Sequence, residues 1–162
     1  MDIAAILVSQ YHASLEMLRQ TIIACPDSVW NAPEDRNKFW QTAYHALFFT
    51  HVYAAESETA VTPWAKHREG YEDYTAAGRE PYDRDTLLEY LDFCRRHVAE
   101  RVPQLKLDDM EGVPDPVLTL LELQIYSIRH LMQHVGELLE RLSARTDGEE
   151  IDWVGWVHEE RQ

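Results

Sequence analysis

His130 and His134 stand four residues apart in the stretch Ser127-Ile128-Arg129-His130-Leu131-Met132-Gln133-His134-Val135-Gly136-Glu137-Leu138. At that spacing two side chains share one face of a helix, one turn above the other. The apolar stripe of the segment runs Leu120, Leu123, Ser127, Leu131, Leu138 and Leu142, and both imidazoles fall inside it. Two rings aimed at a core need partners. Either they are core histidines bonded to other polar side chains, or their ring nitrogens hold a metal ion.

Six further histidines could complete a site: His12, His45, His51, His67, His97 and His158. His45 shares a helical strip with Gln41, Phe48 and Val52 and can face inward. His51 lies about 240° further round the same helix, so the two cannot aim at one point. His45 is the better ligand because its strip is the more apolar and mid-helix. His12, beside the stripe of the first helix, is the reserve, as an added ligand, a supporting group, or a plain core or surface histidine. His67 sits in a long loop and reads as solvent-exposed, although it could reach over the site. His97 and His158 have polar neighbours and receive no role.

Three neutral imidazoles on a divalent ion leave at least one position for water or substrate, which is the ligand count of a catalytic zinc site. Nickel, iron(II) and manganese also accept nitrogen ligands, so the residues do not fix the element. Glu137, three residues after His134, could orient a ligand, act on bound water, or simply lie on the helix surface. Other chemistries lack their motifs. Glu-x-x-His, needed twice by a di-iron bundle, does not occur, nor do His-Glu-x-x-His, a phosphate loop, G-x-S-x-G or G-x-G-x-x-G.

The elements that must position these groups are helical. Ile3, Leu7, Tyr11, Leu15, Leu18 and Ile22 predict a helix over about 2–25, ended by Pro26-Asp27. A loop with a short turn at Asp27–Trp30 follows. The second helix is expected over about 37–58 with Asn37 as N-cap. It carries Phe39, Trp40, Tyr44, Phe48, Phe49 and Tyr53 on most sides, as a central helix does. Residues 59–82 form a long connection whose aromatics Trp64, Tyr71, Tyr74 and Tyr82 suggest packing over the bundle. The third helix, about 83–101, is capped by Asp83 and buries Leu87, Leu91, Cys94 and Val98, with Arg84, Glu89, Arg95, Arg96 and Glu100 in solvent. The fourth spans about 116–144, and the Trp153-Val154-Gly155-Trp156-Val157 tail folds back on the bundle or meets a partner subunit. Four amphipathic helices and no strand give an all-α fold, an up-down four-helix bundle in a single domain over 1–162.

Bulk properties exclude several functions. A net charge of −14 with no Lys/Arg cluster argues against nucleic acid and against an anionic membrane surface. No signal peptide and no span of about twenty apolar residues is evident, so the expected compartment is cytoplasmic. Cys25 and Cys94 form no C-x-x-C unit and are expected as buried thiols.

Phe39-Trp40-Gln41-Thr42-Ala43-Tyr44-His45-Ala46-Leu47-Phe48-Phe49 and Arg129-His130-Leu131-Met132-Gln133-His134-Val135-Gly136-Glu137-Leu138, with the order and length of the helices, resemble the DinB-like superfamily of four-helix-bundle metal-binding proteins. The likeness covers nearly the whole chain and is specific in these two segments. It implies a divalent metal, usually zinc or nickel, on His45, His130 and His134. It also implies a homodimer and, in some relatives, thiol-dependent transfer or isomerisation with glutathione, mycothiol or bacillithiol. The expected function is therefore a metal-dependent enzyme, a thiol-dependent transferase or a hydrolase acting on a small molecule. A non-catalytic metal-binding or stress-response bundle is the alternative. No Lys or Arg near the histidines offers an anchor for an anionic thiol, and Arg129 points away from the stripe.

Overall fold

The computed structural model describes residues 1–55, 61–74, 78–110, 118–146 and 151–157. Among these residues there is no strand, and the chain forms α1 (Ile3–Ala24), α2 (Asp27–Trp30), α3 (Phe39–Tyr53), α4 (Arg84–Arg101), a 3-10 turn (Val102–Gln104) and α5 (Leu120–Arg145). None of these helices is long and apolar enough to cross a membrane.

Local chemistry sets the helix ends. Asp2 accepts from Ala5 N at 3.0 Å and Asp83 from Thr86 N at 2.7 Å, each satisfying an orphan amide of a first turn. At α5 the cap is Thr119, not a residue near 116. Its hydroxyl accepts from Glu122 N while Glu122 accepts from Thr119 N, a reciprocal pair that places the helix start at Leu120. Positions 116 and 117 of the expected helix lie outside the described residues, as do 56–58 at the far end of the expected second helix. The N-cap of α3 is Lys38, one residue beyond the expected Asn37, with Gln41 Oε1 accepting from Lys38 N at 2.9 Å. The Lys38 ammonium instead ties the preceding loop, donating to the carbonyls of Ala32, Pro33 and Asp35.

The four long helices pack as a ring, α1 against α4, α4 against α3, α3 against α5, and α5 against α1. Two buried clusters show the path of the chain. One joins Leu7 and Tyr11 of α1 to Ala54 just past α3, Val98 of α4 and Leu120 and Leu123 of α5. The other joins Leu18 and Ile22 to Phe39 and Trp40, Leu87 and Leu91, and Leu138 and Leu142. Thus α1 and α5 run one way and α3 and α4 the other. The expected bundle is present, with an up-down-down-up course. The α3–α4 connection is long enough to return along the bundle, so those two helices lie side by side in parallel.

That connection is anchored by its aromatic rings. Trp64 is buried and lies flat on Tyr90, with ring centroids 4.3 Å apart. Tyr82 is buried beside Tyr44 at 4.9 Å, and its hydroxyl donates to Lys66 O at 2.6 Å. Two arginines expected in solvent are instead structural. Arg84 donates to the carbonyls of Ile22 and Cys25, closing the C-terminal end of α1, and lies over the Trp30 ring. Arg95 pairs with Glu16 across α1 and α4 at 3.3 Å. The tail runs along α1, with Asp152 N donating to Gln20 Oε1 and Gln10 Nε2 donating to Gly155 O. Val154 packs against the core, whereas Trp153 and Trp156 remain 76% and 66% exposed.

Both cysteines are free and buried, as expected. Burial pushes the Cys25 thiol up to about 12 and raises Cys94 as well, so neither supplies a thiolate near neutral pH.

Candidate metal centre

The α3–α5 seam brings His45 together with His130 and His134. One ring nitrogen from each lies within 4.8 Å of the others. Because α3 and α5 are antiparallel, His45 sits level with the two turns of α5 that carry the pair. Ring centroids are 5.2 Å from His45 to His130 and 4.8 Å from His45 to His134.

The outward nitrogens are held. His45 Nδ1 meets the Glu72 carbonyl at 2.7 Å, which makes Nδ1 the protonated nitrogen and frees the Nε2 lone pair. His134 Nδ1 meets Glu137 Oε2 at 2.8 Å, so the same tautomer applies. Partial burial acts to raise the Glu137 carboxyl, but hydrogen bonds from His134 and Gln133 outweigh it and leave the pKa below the ordinary value. The group is therefore the ionised partner of a carboxylate–histidine pair, an arrangement that fixes a ligand ring and raises its basicity. Neither carbonyl nor carboxylate needed a special fold: Glu137 follows His134 by one turn, and Glu72 arrives from the long connection.

His134 Nε2 and His130 Nε2 lie 3.1 Å apart. Two lone pairs cannot face each other at that distance, so a proton on His130 or a cation must lie between them. Nitrogens bound to one ion at 2.0–2.1 Å would be separated by about 2.9 Å at right angles and about 3.4 Å at a tetrahedral angle. The separation of this pair lies in that window, and three imidazole nitrogens are a donor set that a divalent ion accepts.

Aromatic rings enclose the cluster. Tyr74 stacks on His45 at 4.5 Å, Phe49 lies 4.7 Å from His45 and 5.6 Å from His130, and Tyr126 stacks on His130 at 6.0 Å. This shell favours the neutral form of His130 and His45. Burial, reinforced by the neighbouring His134 and His45, lowers His130 to about 4, and burial lowers His45. Tyr74 is pushed up to about 12 by burial, so it serves as a neutral wall and no phenolate forms there near pH 7.

The other histidines are placed apart from this centre. His12 is buried, its Nε2 bonded to Arg95 O at 3.1 Å, a core histidine. His51 is buried on the far side of α3, against Tyr90, Phe93 and His97. His67 is not an exposed loop residue: its Nδ1 contacts Tyr44 Oη at 2.7 Å and its ring stacks on Phe48. His97 stacks on Phe93, so its surroundings are more apolar than its sequence neighbours indicate. His158 lies outside the described residues. Sequence reading left Glu137 undecided and missed the Glu72 carbonyl entirely, since a backbone atom in a loop has no residue-type signature.

A bundle that converges three imidazoles between facing helices belongs to the class of helical bundles able to hold a divalent ion. More specifically, a model of the DinB superfamily matches residues 10–138, and the chain belongs to that family. No curated protein and no solved structure gives a significant match.

Two predictions arise here. Replacing Glu137 by Ala lowers metal affinity about 10–100-fold, and Glu137→Gln lowers it less because an acceptor remains, as measured by competition with a chromophoric chelator. The second concerns acid. His51 and His130 are held near 4 and His45 and His97 are lowered, so from the ordinary histidine value down to about 4 the unfolded chain binds more protons than the folded one. Stability of the metal-free protein is therefore fully present above about pH 6.5 and falls as pH drops towards 4. Thermal melts across that range should show a falling midpoint, with proton uptake on unfolding.

Proposed function

We propose that the protein is a metal-dependent enzyme in which His45, His130 and His134 hold one divalent ion, zinc or nickel. The observation that carries this reading is the inward convergence of three ring nitrogens, two of whose outer nitrogens are fixed by Glu72 O and Glu137. A bound ion supplies Lewis acidity, lowering the pKa of a water or thiol that occupies an open position. Three protein ligands leave such a position, whereas a purely structural site closes all four.

The chain's own residues then have definite tasks. Glu72 O and Glu137 orient two of the ligand rings. Tyr74, Phe49, Tyr53 and Tyr126 form the aromatic wall and limit access of bulk water. Glu137 carries negative charge to the centre through His134. Attack on a small electrophile by a thiol, or hydrolysis by water, is the reaction class that this environment serves. The reading extends to one domain over 1–162 acting as a homodimer in the cytoplasm.

The experiment is metal analysis of untagged protein followed by assays of thiol transfer and ester or amide hydrolysis with and without chelator. About one ion per chain and chelator-sensitive turnover are expected. Stoichiometric metal with no exchangeable water ligand would favour the non-catalytic alternative.

A further inference from the structure

Phe49 borders both the three-histidine centre and a separate cavity. Its ring lies 4.7 Å from that of His45 and 5.6 Å from that of His130. The same side chain lines a cavity of about 340 Å³, together with Phe48, Val52, Val61, Trp64 and Tyr90 among others. We infer that, given the metal-dependent reading on which this rests, the cavity is the substrate pocket of the centre. It takes an uncharged alkyl or aryl group of the molecule whose reactive end meets the ion, and Phe49 is the wall that the two share.

The position follows from α3. Phe49 comes four residues after His45 and Val52 seven, one and two turns along, so both lie on the side of the helix that His45 occupies. At 1.5 Å per residue the lining reaches about 10 Å along the axis from the ligand, within the span of a small molecule bound at both ends. The walls are rigid. Phe48 meets Phe49 edge to face at 5.3 Å, and Trp64 is buried and lies flat on Tyr90 at 4.3 Å.

The lining decides what the occupant is. Among the described residues, no Lys, Arg, Asp or Glu borders this cavity, so a carboxylate or ammonium entering it would lose water and gain no counter-charge. Its two histidines do not replace one. His51 Nδ1 meets Tyr90 Oη at 3.1 Å and His67 Nδ1 meets Tyr44 Oη at 2.7 Å. Burial lowers His51 to about 4, so that ring is uncharged at neutral pH. What the walls reward is apolar surface removed from water. An apolar cavity of about 150 Å³ holds benzene, so this one has room for about two such rings or an alkyl chain of similar bulk.

The test titrates zinc-loaded protein with hydroxamates, which share a zinc-binding head and differ in the tail. Acetohydroxamate has almost none, octanohydroxamate has an alkyl chain, and suberic monohydroxamate has a chain of the same length ending in a carboxylate. Affinities come from calorimetry and the position of the chain from NMR. Octanohydroxamate should bind about tenfold or more tighter than acetohydroxamate, since each fully buried methylene is worth up to about fourfold. Suberic monohydroxamate should lose most of that advantage. Nuclear Overhauser contacts should join the octanoyl chain to Trp64 and Val61. In Val61→Trp, which fills the cavity from the connection, the ratio of octanoyl to acetyl affinity should fall towards one. If that variant misfolds by circular dichroism, the contacts and the ligand comparison in the parent decide. Failures are distinguishable. A chain that holds no zinc overturns the metal-dependent reading and the pocket with it. Zinc held with equal acetyl and octanoyl affinities overturns the pocket alone. So do equal octanoyl and suberyl affinities, chain contacts that miss Trp64 and Val61, or an unchanged ratio in folded Val61→Trp.

Discussion

His130→Ala should abolish stoichiometric metal binding while leaving a folded bundle. His130 contributes one of three converging nitrogens and lies 3.1 Å from His134 Nε2, so its removal opens the ligand set on the side that no carboxylate supports. The loss should exceed the 10–100-fold typical of a supporting residue, because a ligand itself is gone. Metal per chain should fall from about one to near zero. The metal-free melting temperature should barely move, since the half-buried ring is held neutral at a cost and its loss leaves no orphaned partner beyond His134. His51→Ala is the matched control. It removes a more deeply buried histidine, 2% exposed, from α3, the other helix of the seam, yet it should leave metal content intact.

Trp40→Ala should produce the largest loss of stability. The ring is 1% exposed, its Nε1 donates to Asn31 Oδ1 at 3.0 Å, and it packs against Tyr71 and Tyr82 at 5.8 and 6.2 Å. Truncating a buried tryptophan costs about 3–5 kcal/mol, which lowers the midpoint of a chain this size by roughly 10 °C. Metal affinity should fall as well. Tyr71 precedes Glu72, whose carbonyl holds His45, so slackening the connection loosens a ligand. Leu91→Ala on α4, also fully buried, should destabilise by about 2–5 kcal/mol without that second effect. Urea unfolding paired with a metal titration separates the two variants.

The helices were legible because burial leaves a periodic mark. Leu7, Tyr11, Leu15, Leu18 and Ile22 recur on one side of α1, and all are buried. The histidine pair was legible for the same reason: a polar residue inside an apolar stripe is conspicuous. The helical angle excluded His45 and His51 as ligands of one ion, and the more apolar, mid-helix strip singled out His45. What could not be read was tertiary. The direction of α3 relative to α4 depends on how far residues 54–83 travel, and composition records length without course. The roles of Arg84 and His67 depend on the carbonyls of α1 and the Tyr44 hydroxyl, groups distant in sequence. Helix ends moved by a few residues where a reciprocal side-chain cap, Thr119 with Glu122, outweighed the proline punctuation before it.

The division of labour around α3 follows from one sequence fact. Its faces carry His45 and His51 about 240° apart, so one helix sends His45 into the α3–α5 seam and His51 against Tyr90, Phe93 and His97 of α4. The long connection supplies Tyr74 and Glu72 beside the first and lays Trp64 on Tyr90 beside the second.

X-ray absorption at the edge of the bound metal tests the central claim most directly. The account predicts three imidazole nitrogens at about 2.0–2.1 Å, with the outer-ring scattering that marks histidine, and at least one further light-atom ligand. A sulfur shell at about 2.3 Å, or an all-water shell without imidazole scattering, would contradict it.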